Sequence, residues 1–227
     1  MKIGRQDQRS SAISTSNEHT IVVRGRESRM TLAAAPEALQ GAVAAGILGC
    51  GSVVLGSAEA AGQFLAEIAS QAANGGAVEA AVGKVVGEYR AANRAIPGYG
   101  HPLHKGQDPR ARRLFEVAAE AGTSGRHVEI ARSVERQLPQ LVGRTLAINV
   151  SGAIPAVLLD AGYPLRALKG IPILARTASL IAHLLEEQQR PIGFVLSHAA
   201  VQAIDYDGSA PADFVPSANS SAPETTA

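Results

Sequence analysis

Residues 97–110 of this 227-residue chain read PGYGHPLHKGQDPR. Three glycines and three prolines interrupt the segment, so its backbone can approach a ligand closely while its turns stay rigid. The imidazole of His101 can move a proton near neutral pH, and the guanidinium of Arg110 can hold a carboxylate through two parallel hydrogen bonds. The pattern therefore predicts a stiff loop that serves carboxylate chemistry.

The rest of the chain is dominated by apolar residues at helical spacing, with little alternation of period two. This pattern predicts an all-α fold of six or seven helices, together with one short strand at residues 20–26. We expect helices at about 36–56, 57–73, 77–93, 108–121, 125–138, 142–162 and 164–188. The first of these should break or kink at Gly49, Gly51 and Gly56. Many of the helices are apolar on more than one face, which indicates burial on both sides and hence a dimer or larger assembly.

Composition narrows the classes of function. The chain has 21 basic and 20 acidic residues, without the basic domain or stripe that nucleic acid binding requires. Its one cysteine, Cys50, excludes an internal disulfide and is typical of a reducing compartment, so we expect a cytoplasmic protein. The apolar run at 38–56 is rich in Gly and Ala and lacks flanking aromatic or basic anchors, which favours a buried helix over a membrane span. His101 and His104 are separated by Pro102 and have no third strong ligand nearby, so we predict no metal site.

The order of these residues resembles a known family. The run from Pro97 to Arg110, followed by the helical segment Arg113-Leu114-Phe115, is similar to the citrate synthase superfamily, in particular to its short citryl-CoA lyase-like members. The resemblance implies a multi-helix citrate-synthase-like fold, a dimer, and an apparent loss of several N-terminal helices between residues 26 and 30. We divide the chain into a polar N-terminal segment, a citrate-synthase-like helical domain and a tail that its Ala, Pro, Ser and Thr content predicts to be disordered. These parts are residues 1–30, 31–206 (with a small-domain-like part at about 97–165) and 207–227.

The resemblance also implies roles for individual residues. His101 would exchange a proton with the oxygen of the keto or hydroxyl carbon, and Ser151 stands at the position of the family's catalytic aspartate. Arg110 and Arg176 would grip the substrate carboxylates, and Arg190 would reach them from the neighbouring subunit. The substrate would be a coenzyme A thioester, with no permanently bound cofactor. The coenzyme A loop would be formed by the backbone of Ile96, Pro97, Gly98, Tyr99 and Gly100, and the candidates to assist His101 are His104 and Lys105.

Two departures from the family pattern bear on activity. Leu55 stands where the synthases have a histidine that stabilises the enol of acetyl-CoA, and this favours cleavage over synthesis. Ser151 replaces the aspartate base, and a serine hydroxyl is too weak a base to take a carbon proton unaided. Asp160, nine residues later, would lie half a turn out of phase with Ser151 on a helix, so it is a poor substitute.

Taken together, these residues favour a citryl-CoA lyase-like enzyme that cleaves a citryl-type CoA thioester to acetyl-CoA and a 2-oxo acid such as oxaloacetate. One alternative is citrate synthase-type acyl transfer, in which the same site works in the direction of synthesis. Another is a catalytically inactive relative that binds coenzyme A or a tricarboxylate. For partners we expect the CoA thioester, a small carboxylate, and either a second copy or a complete homologue, with no nucleic acid and no membrane.

Overall fold

The helical periodicity of the sequence is realised along most of the described chain. The computed structural model describes residues 16–73, 76–100, 106–204 and 208–209. Within these residues there are nine α-helices and one short 3₁₀ helix, Leu165–Ala167. The α-helices are α1 Ser16–Ala34, α2 Leu39–Leu55, α3 Ser57–Ala73, α4 Val78–Ala91, α5 Pro109–Glu120, α6 Arg126–Val142, α7 Val150–Asp160, α8 Gly170–Gln189 and α9 Gly193–Gln202. The predicted all-α fold is confirmed, since the only β pairing in the described residues is an isolated bridge between Tyr99 and Ile148.

The larger hydrophobic core is built by α3, α4, α6 and α7, with one face of α5 packed on it. Its centre is Phe64 of α3, whose ring meets Tyr89 edge-on at 5.1 Å and Tyr99 at 6.4 Å between ring centroids. Buried residues of α3 recur every three or four positions, so one face of this helix enters the core. They are Ala58, Ala61, Gly62, Phe64, Leu65, Ile68 and Ala72. This core supports the glycine-rich segment that precedes His101.

A second layer is formed by α1, α2, α8 and α9. Gly46 of α2 lies close to both α1 and α8. An added Cβ there would be 2.0 Å from Ser28 Oγ and 2.9 Å from the Leu180 side chain, so any larger residue would force these side chains to shift. Several large apolar side chains of the layer are exposed, and these are Leu48, Leu174, Ile181, Leu185, Phe194, Val195, Val201 and Ile204. Association with a second copy would bury such side chains, and the predicted dimer stays a prediction.

Among the described residues, one helical stretch, Leu165–Gln189, is long and apolar enough to cross a membrane, judged by length and composition alone. The bent pair of α2 and α3 passes the same test only if both helices are counted as one span. The core helices of soluble proteins also meet these criteria, so the prediction of no membrane contact stays a prediction. A kink is confirmed at Gly51, where φ is +57° inside α2, and the helix ends just before Gly56. No kink is found at Gly49, which lies within the helix.

Several local predictions were wrong. Residues 20–26 are not a strand but part of α1, because packing of this helix on α2, α8 and α9 overrides the local β propensity of Ile and Val. The helix expected to end before Pro139 continues to Val142, since a proline in the last turn removes only one helical hydrogen bond. Gly143, with φ at +73°, ends it in the left-handed conformation.

The remaining differences concern the C-terminal half. Residues 143–149 are not helical, so the helix expected at 142–162 is shortened to α7, and α9 was not predicted. The division of the chain at residues 30 and 207 stays a prediction. The predicted tail lies outside the described residues except for Gly208 and Ser209.

Candidate active site

The candidate site begins at the start of α5, where Asp108 and Pro109 open the helix as the sequence predicts. Asp108 Oδ1 accepts the backbone N–H of Arg110 at 3.0 Å, which satisfies one of the free donors of the first turn. Pro109 stands at the first helical position, where its missing N–H removes no helical hydrogen bond. Local sequence alone therefore sets the position of Arg110 at this helix terminus.

The guanidinium of Arg110 is held by the same aspartate. Its Nε donates to Asp108 Oδ1 at 3.0 Å and its Nη2 donates to Asp108 Oδ2 at 2.8 Å. This leaves Nη1 and the outer hydrogen of Nη2, which together form an end-on fork for a second carboxylate. The Arg110 side chain is 43% exposed, whereas that of Asp108 is 2% exposed. The guanidinium is thus accessible to solvent, and the buried carboxylate of Asp108 fixes its orientation.

Asp108 stays ionised at this position. Burial by itself raises the pKa of its carboxyl group, but the hydrogen bonds from the Arg110 side chain and from the Val150 and Arg110 backbone N–H groups outweigh that effect, and the pKa is about 2. The carboxylate is therefore charged at any pH at which the protein would work. Arg110 also lines a shallow, largely apolar depression on the outer face of α5.

A set of hydrogen bonds joins α5 to the start of α7 and to the glycine loop. Asp108 Oδ2 accepts the N–H of Val150 at 3.0 Å. Asn149 donates from its backbone to Gly98 O at 2.9 Å and from Nδ2 to Gly100 O at 2.6 Å. Its Oδ1 accepts the N–H of Ser151 at 2.9 Å, so Asn149 also caps α7. Arg110, Ser151 and the loop residues immediately before His101 are brought together by these bonds.

The glycine loop packs tightly on α7. Gly98 has φ at +86°, and an added Cβ would lie 2.6 Å from the Cα of Gly152, so no other residue fits. The ring of Tyr99 is buried and donates its hydroxyl to Ala131 O at 2.8 Å. Burial, with a smaller contribution from Glu135, raises the pKa of Tyr99 well above its usual value. Any ligand contact of this loop would therefore use its backbone atoms rather than the tyrosine ring.

The other predicted site residues fall in different places. His101, His104 and Lys105 lie outside the described residues. Arg176 and Arg190 belong to α8 and its C-cap, in the layer formed with α1 and α2, whereas α5 packs against α7. Arg190 donates to Glu186 of its own chain at 2.7 Å. The roles of these residues stay predictions. The ion pair between Arg190 and Glu186 is exposed.

Asp160 is occupied by a structural task. Its carboxylate accepts the backbone N–H groups of Gly125, His127 and Val128 at 2.6, 2.8 and 3.0 Å, and it lies 2.8 Å from His127 Nδ1. These bonds cap the start of α6 and, against the effect of burial, lower the pKa of Asp160. Asp160 also lies at the opposite end of α7 from Ser151, about 13 Å along the axis at the rise of an α-helix. It is therefore no replacement for the missing base.

Comparison with known proteins decides the family. Residues 28–193 match the family model of the citrate synthase C-terminal domain.

The chain belongs to the citrate synthase family.

Individual members differ in how much of their length this chain spans. Citryl-CoA lyase from Hydrogenobacter thermophilus is 31% identical with a TM-score of 0.71, and the match covers 84% of this chain and 71% of that one. Citrate synthase from Thermoplasma acidophilum, solved as a ternary complex with carboxymethyl coenzyme A and oxaloacetate, is 20% identical with a TM-score of 0.61 and shows the same fold. The match covers 86% of this chain and half of that one. A citrate synthase-like protein of a Phoma species is 33% identical over 101 residues, which are 42% of this chain and 22% of that protein.

Two residues of this chain, Leu55 and Ser151, differ from the family pattern described above. Leu55 is buried at the end of α2, with 5% of its surface exposed. Ser151 is half-buried in the first turn of α7, where its N–H is already bonded to Asn149. Sequence reasoning missed the contribution of Asn149, although an asparagine before an apolar helix is a recognisable N-cap signal. It also missed the bond from Val150 to Asp108, which spans 42 residues and has no local signal.

Proposed function

We propose that this protein cleaves a citryl-type CoA thioester to acetyl-CoA and a 2-oxo acid, with oxaloacetate as the first candidate for the acid. The observation that supports the proposal is the fixed guanidinium of Arg110, whose free end-on edge lies in the same cluster as the glycine loop and Ser151. The likeness to citryl-CoA lyase, at 31% identity, is the second support.

Arg110 would bind one carboxylate of the substrate. Because Asp108 already holds Nε and Nη2, the guanidinium does not have to be ordered when the ligand arrives, which lowers the entropic cost of binding. A charge-assisted hydrogen bond of this kind contributes roughly 1.5–3 kcal/mol. Arg176 and Arg190 would hold further carboxylates, Arg190 in a site completed by a second copy of the chain.

The chemical step would be a retro-aldol-type cleavage. His101 would take the proton of the substrate hydroxyl group, the carbon–carbon bond would break, and the oxygen would become the carbonyl of the 2-oxo acid. The electron pair of the broken bond would pass to the acetyl carbon, which then takes up a proton to give acetyl-CoA. In the family pattern the residue near that carbon is an aspartate, whereas here it is Ser151. We therefore expect slow turnover, with this proton supplied by solvent.

Coenzyme A would lie along residues 96–100. The Tyr99 ring is buried and Gly98 packs on α7, so recognition would rest on the backbone groups of the loop. A cytoplasmic protein acting as a homodimer is part of the same proposal.

The test is a coupled assay of oxaloacetate release from citryl-CoA. We expect release by the wild-type chain, a loss of at least a hundredfold for His101→Ala, and a raised KM for Arg110→Gln. Arg136→Gln is the matched control, because Arg136 is an exposed arginine on α6 and lies outside the cluster around Arg110. Release that is no faster from the wild type than from His101→Ala would refute cleavage.

A second candidate is a binding protein without turnover. It is favoured by Ser151, because the site then lacks a carbon acid or base where the family has one. Calorimetric binding of citrate or coenzyme A, with no product formed, would support this function. Ser151→Asp separates the two candidates, since activity that is present only in this variant would identify the native chain as a binder.

A further inference from the structure

A cleft of about 320 Å³ lies between α5 and α6, beside the segment that leads into α7. Its volume falls in the range of small-molecule sites. The apolar part of its wall is formed by Ala111, Phe115, Ala119 and Ile148. The charged side chains of the wall are Asp108, Arg112, Glu116, Arg132 and Glu135. The cleft thus combines an apolar surface with charges of both signs.

Three of the five charged side chains already have partners within the protein. Asp108 accepts four hydrogen bonds, from Arg110 N, Nε and Nη2 and from Val150 N. Arg112 and Glu116 stand one turn apart on α5 and form an ion pair at 3.5 Å. A ligand in the cleft therefore meets no unbalanced charge at these three residues.

Arg132 and Glu135 are the other two charged residues of the wall. They stand three positions apart on α6, a spacing at which opposite charges can pair, yet each side chain turns to a different contact. The guanidinium carbon of Arg132 lies 5.4 Å from the ring centre of Phe115, and within the described residues this side chain has no hydrogen bond or ion pair. Glu135 Oε1 accepts the N–H of Ile148 at 2.8 Å, and no described residue donates to its Oε2.

This arrangement places one cationic and one anionic group side by side on the same wall, each without a partner of opposite charge. Residues three positions apart on a helix have Cβ atoms about 5–6 Å from each other. A free α-amino acid carries its ammonium and its carboxylate on one carbon atom. Its two charged groups therefore suit a guanidinium and a carboxylate at this spacing, in the orientation opposite to theirs.

We propose that this cleft binds a free α-amino acid with an apolar side chain. Arg132 would hold the carboxylate through two parallel hydrogen bonds, and Glu135 Oε2 would accept a hydrogen bond from the ammonium group. The side chain of the ligand would lie against Phe115, Ala119 and Ile148. The site does not depend on the proposed reaction, because neither Arg132 nor Glu135 belongs to the cluster around Arg110.

The experiment is isothermal titration calorimetry of the full chain with leucine and three related probes. Isocaproate keeps the carboxylate and the carbon skeleton of leucine, whereas isopentylamine keeps the ammonium group and the skeleton. Leucine should bind at least tenfold more tightly than either, because each of them loses one charge-assisted pair. Glycine has both charges but no side chain, so it should also bind at least tenfold more weakly than leucine.

Two variants assign the two charges separately. Arg132→Gln should weaken leucine and isocaproate by tenfold or more and leave isopentylamine unchanged. Glu135→Gln should weaken leucine and isopentylamine and leave isocaproate unchanged, and its amide oxygen can still accept the N–H of Ile148. Arg136→Gln is the matched control, because Arg136 is exposed on the same helix and is not part of the wall. Circular dichroism and melting temperature verify that each variant is folded.

Several results would overturn the proposal. They are an absence of leucine binding to the wild type, an unchanged leucine affinity in a folded Arg132→Gln or Glu135→Gln protein, and a probe with one charge, or glycine, that binds as tightly as leucine. Equal losses in Arg132→Gln and Arg136→Gln would indicate general electrostatic attraction and would exclude the site. A loss of leucine binding in Arg110→Gln alone would assign the amino acid to the proposed active site instead. The titration measures binding without turnover, so its failure leaves the proposed cleavage reaction untouched.

Discussion

Replacement of Asp108 tests the central contact of the candidate site. Its carboxylate accepts four hydrogen bonds, from Arg110 N, Nε and Nη2 and from Val150 N, at distances from 2.8 to 3.0 Å. Asp108→Ala leaves two backbone N–H groups without an acceptor, at roughly 1–3 kcal/mol each when buried. Since both are only part-buried, we expect a loss of about 3 kcal/mol from a total stability of roughly 5–15 kcal/mol.

Asp108→Asn should be almost as damaging, although it has nearly the same shape. Both carboxylate oxygens accept two bonds each, so an amide NH₂ placed at either position meets two donors. Urea unfolding followed by far-ultraviolet circular dichroism measures both variants. Glu116→Ala on the exposed face of α5 is the control and should change the stability by less than about 1 kcal/mol. A loss below about 1 kcal/mol for Asp108→Ala, or a wild-type stability for Asp108→Asn, would refute the reasoning.

The same contact has a pH signature. The pKa of Asp108 in the folded protein is about 2, below its usual value of 3.8, so the folded state binds this proton less tightly than the unfolded state. Its stabilising contribution is therefore complete above the usual pKa and is lost as the pH falls through the folded pKa. The stability difference between wild type and Asp108→Ala should be constant above about pH 5 and should shrink between about pH 4 and pH 2. A difference that grows on acidification would contradict the assignment.

The other predictions concern stability and use the same unfolding measurement. Asp160→Ala should lower the stability by about 2–4 kcal/mol, because it leaves three N–H groups at the start of α6 without their acceptor. Glu129→Ala, on the exposed side of that helix, is the control and should change the stability by no more than about 0.5 kcal/mol. Equal effects of the two substitutions would exclude the capping role. Gly98→Ala should cost about 2 kcal/mol or more, because its Cβ would lie 2.6 Å from the Cα of Gly152 in a left-handed backbone. Gly87→Ala, exposed inside α4 with no neighbour within 4 Å, should instead stabilise by about 0.5–1 kcal/mol, and a loss there would contradict the helical assignment.

The accuracy of the sequence predictions depended on how far apart the interacting residues are. Asp108 and Pro109 were correctly identified as a helix start because the cap bond reaches only two residues, to Arg110. Residues 20–26 were misread as a strand because their β-branched side chains favour one locally, whereas the helix is stabilised by packing on α2, α8 and α9. From the sequence, Asp160 was considered only as a substitute base, and a poor one. Its capping role was missed because the groups that it caps lie 32–35 residues away.

What the sequence alone determined was the family, the all-α class and the position of the glycine-rich segment before Asp108. These follow from spacing and from bonds between near neighbours, which the order of residues specifies directly. Only the tertiary structure determined that Asp108, which binds Arg110, also accepts a hydrogen bond from the start of α7. It also determined that Arg190 pairs with Glu186 in another layer. Such pairings depend on which helices pack together, because burial and hydrogen bonding between distant segments exist only once the core has formed.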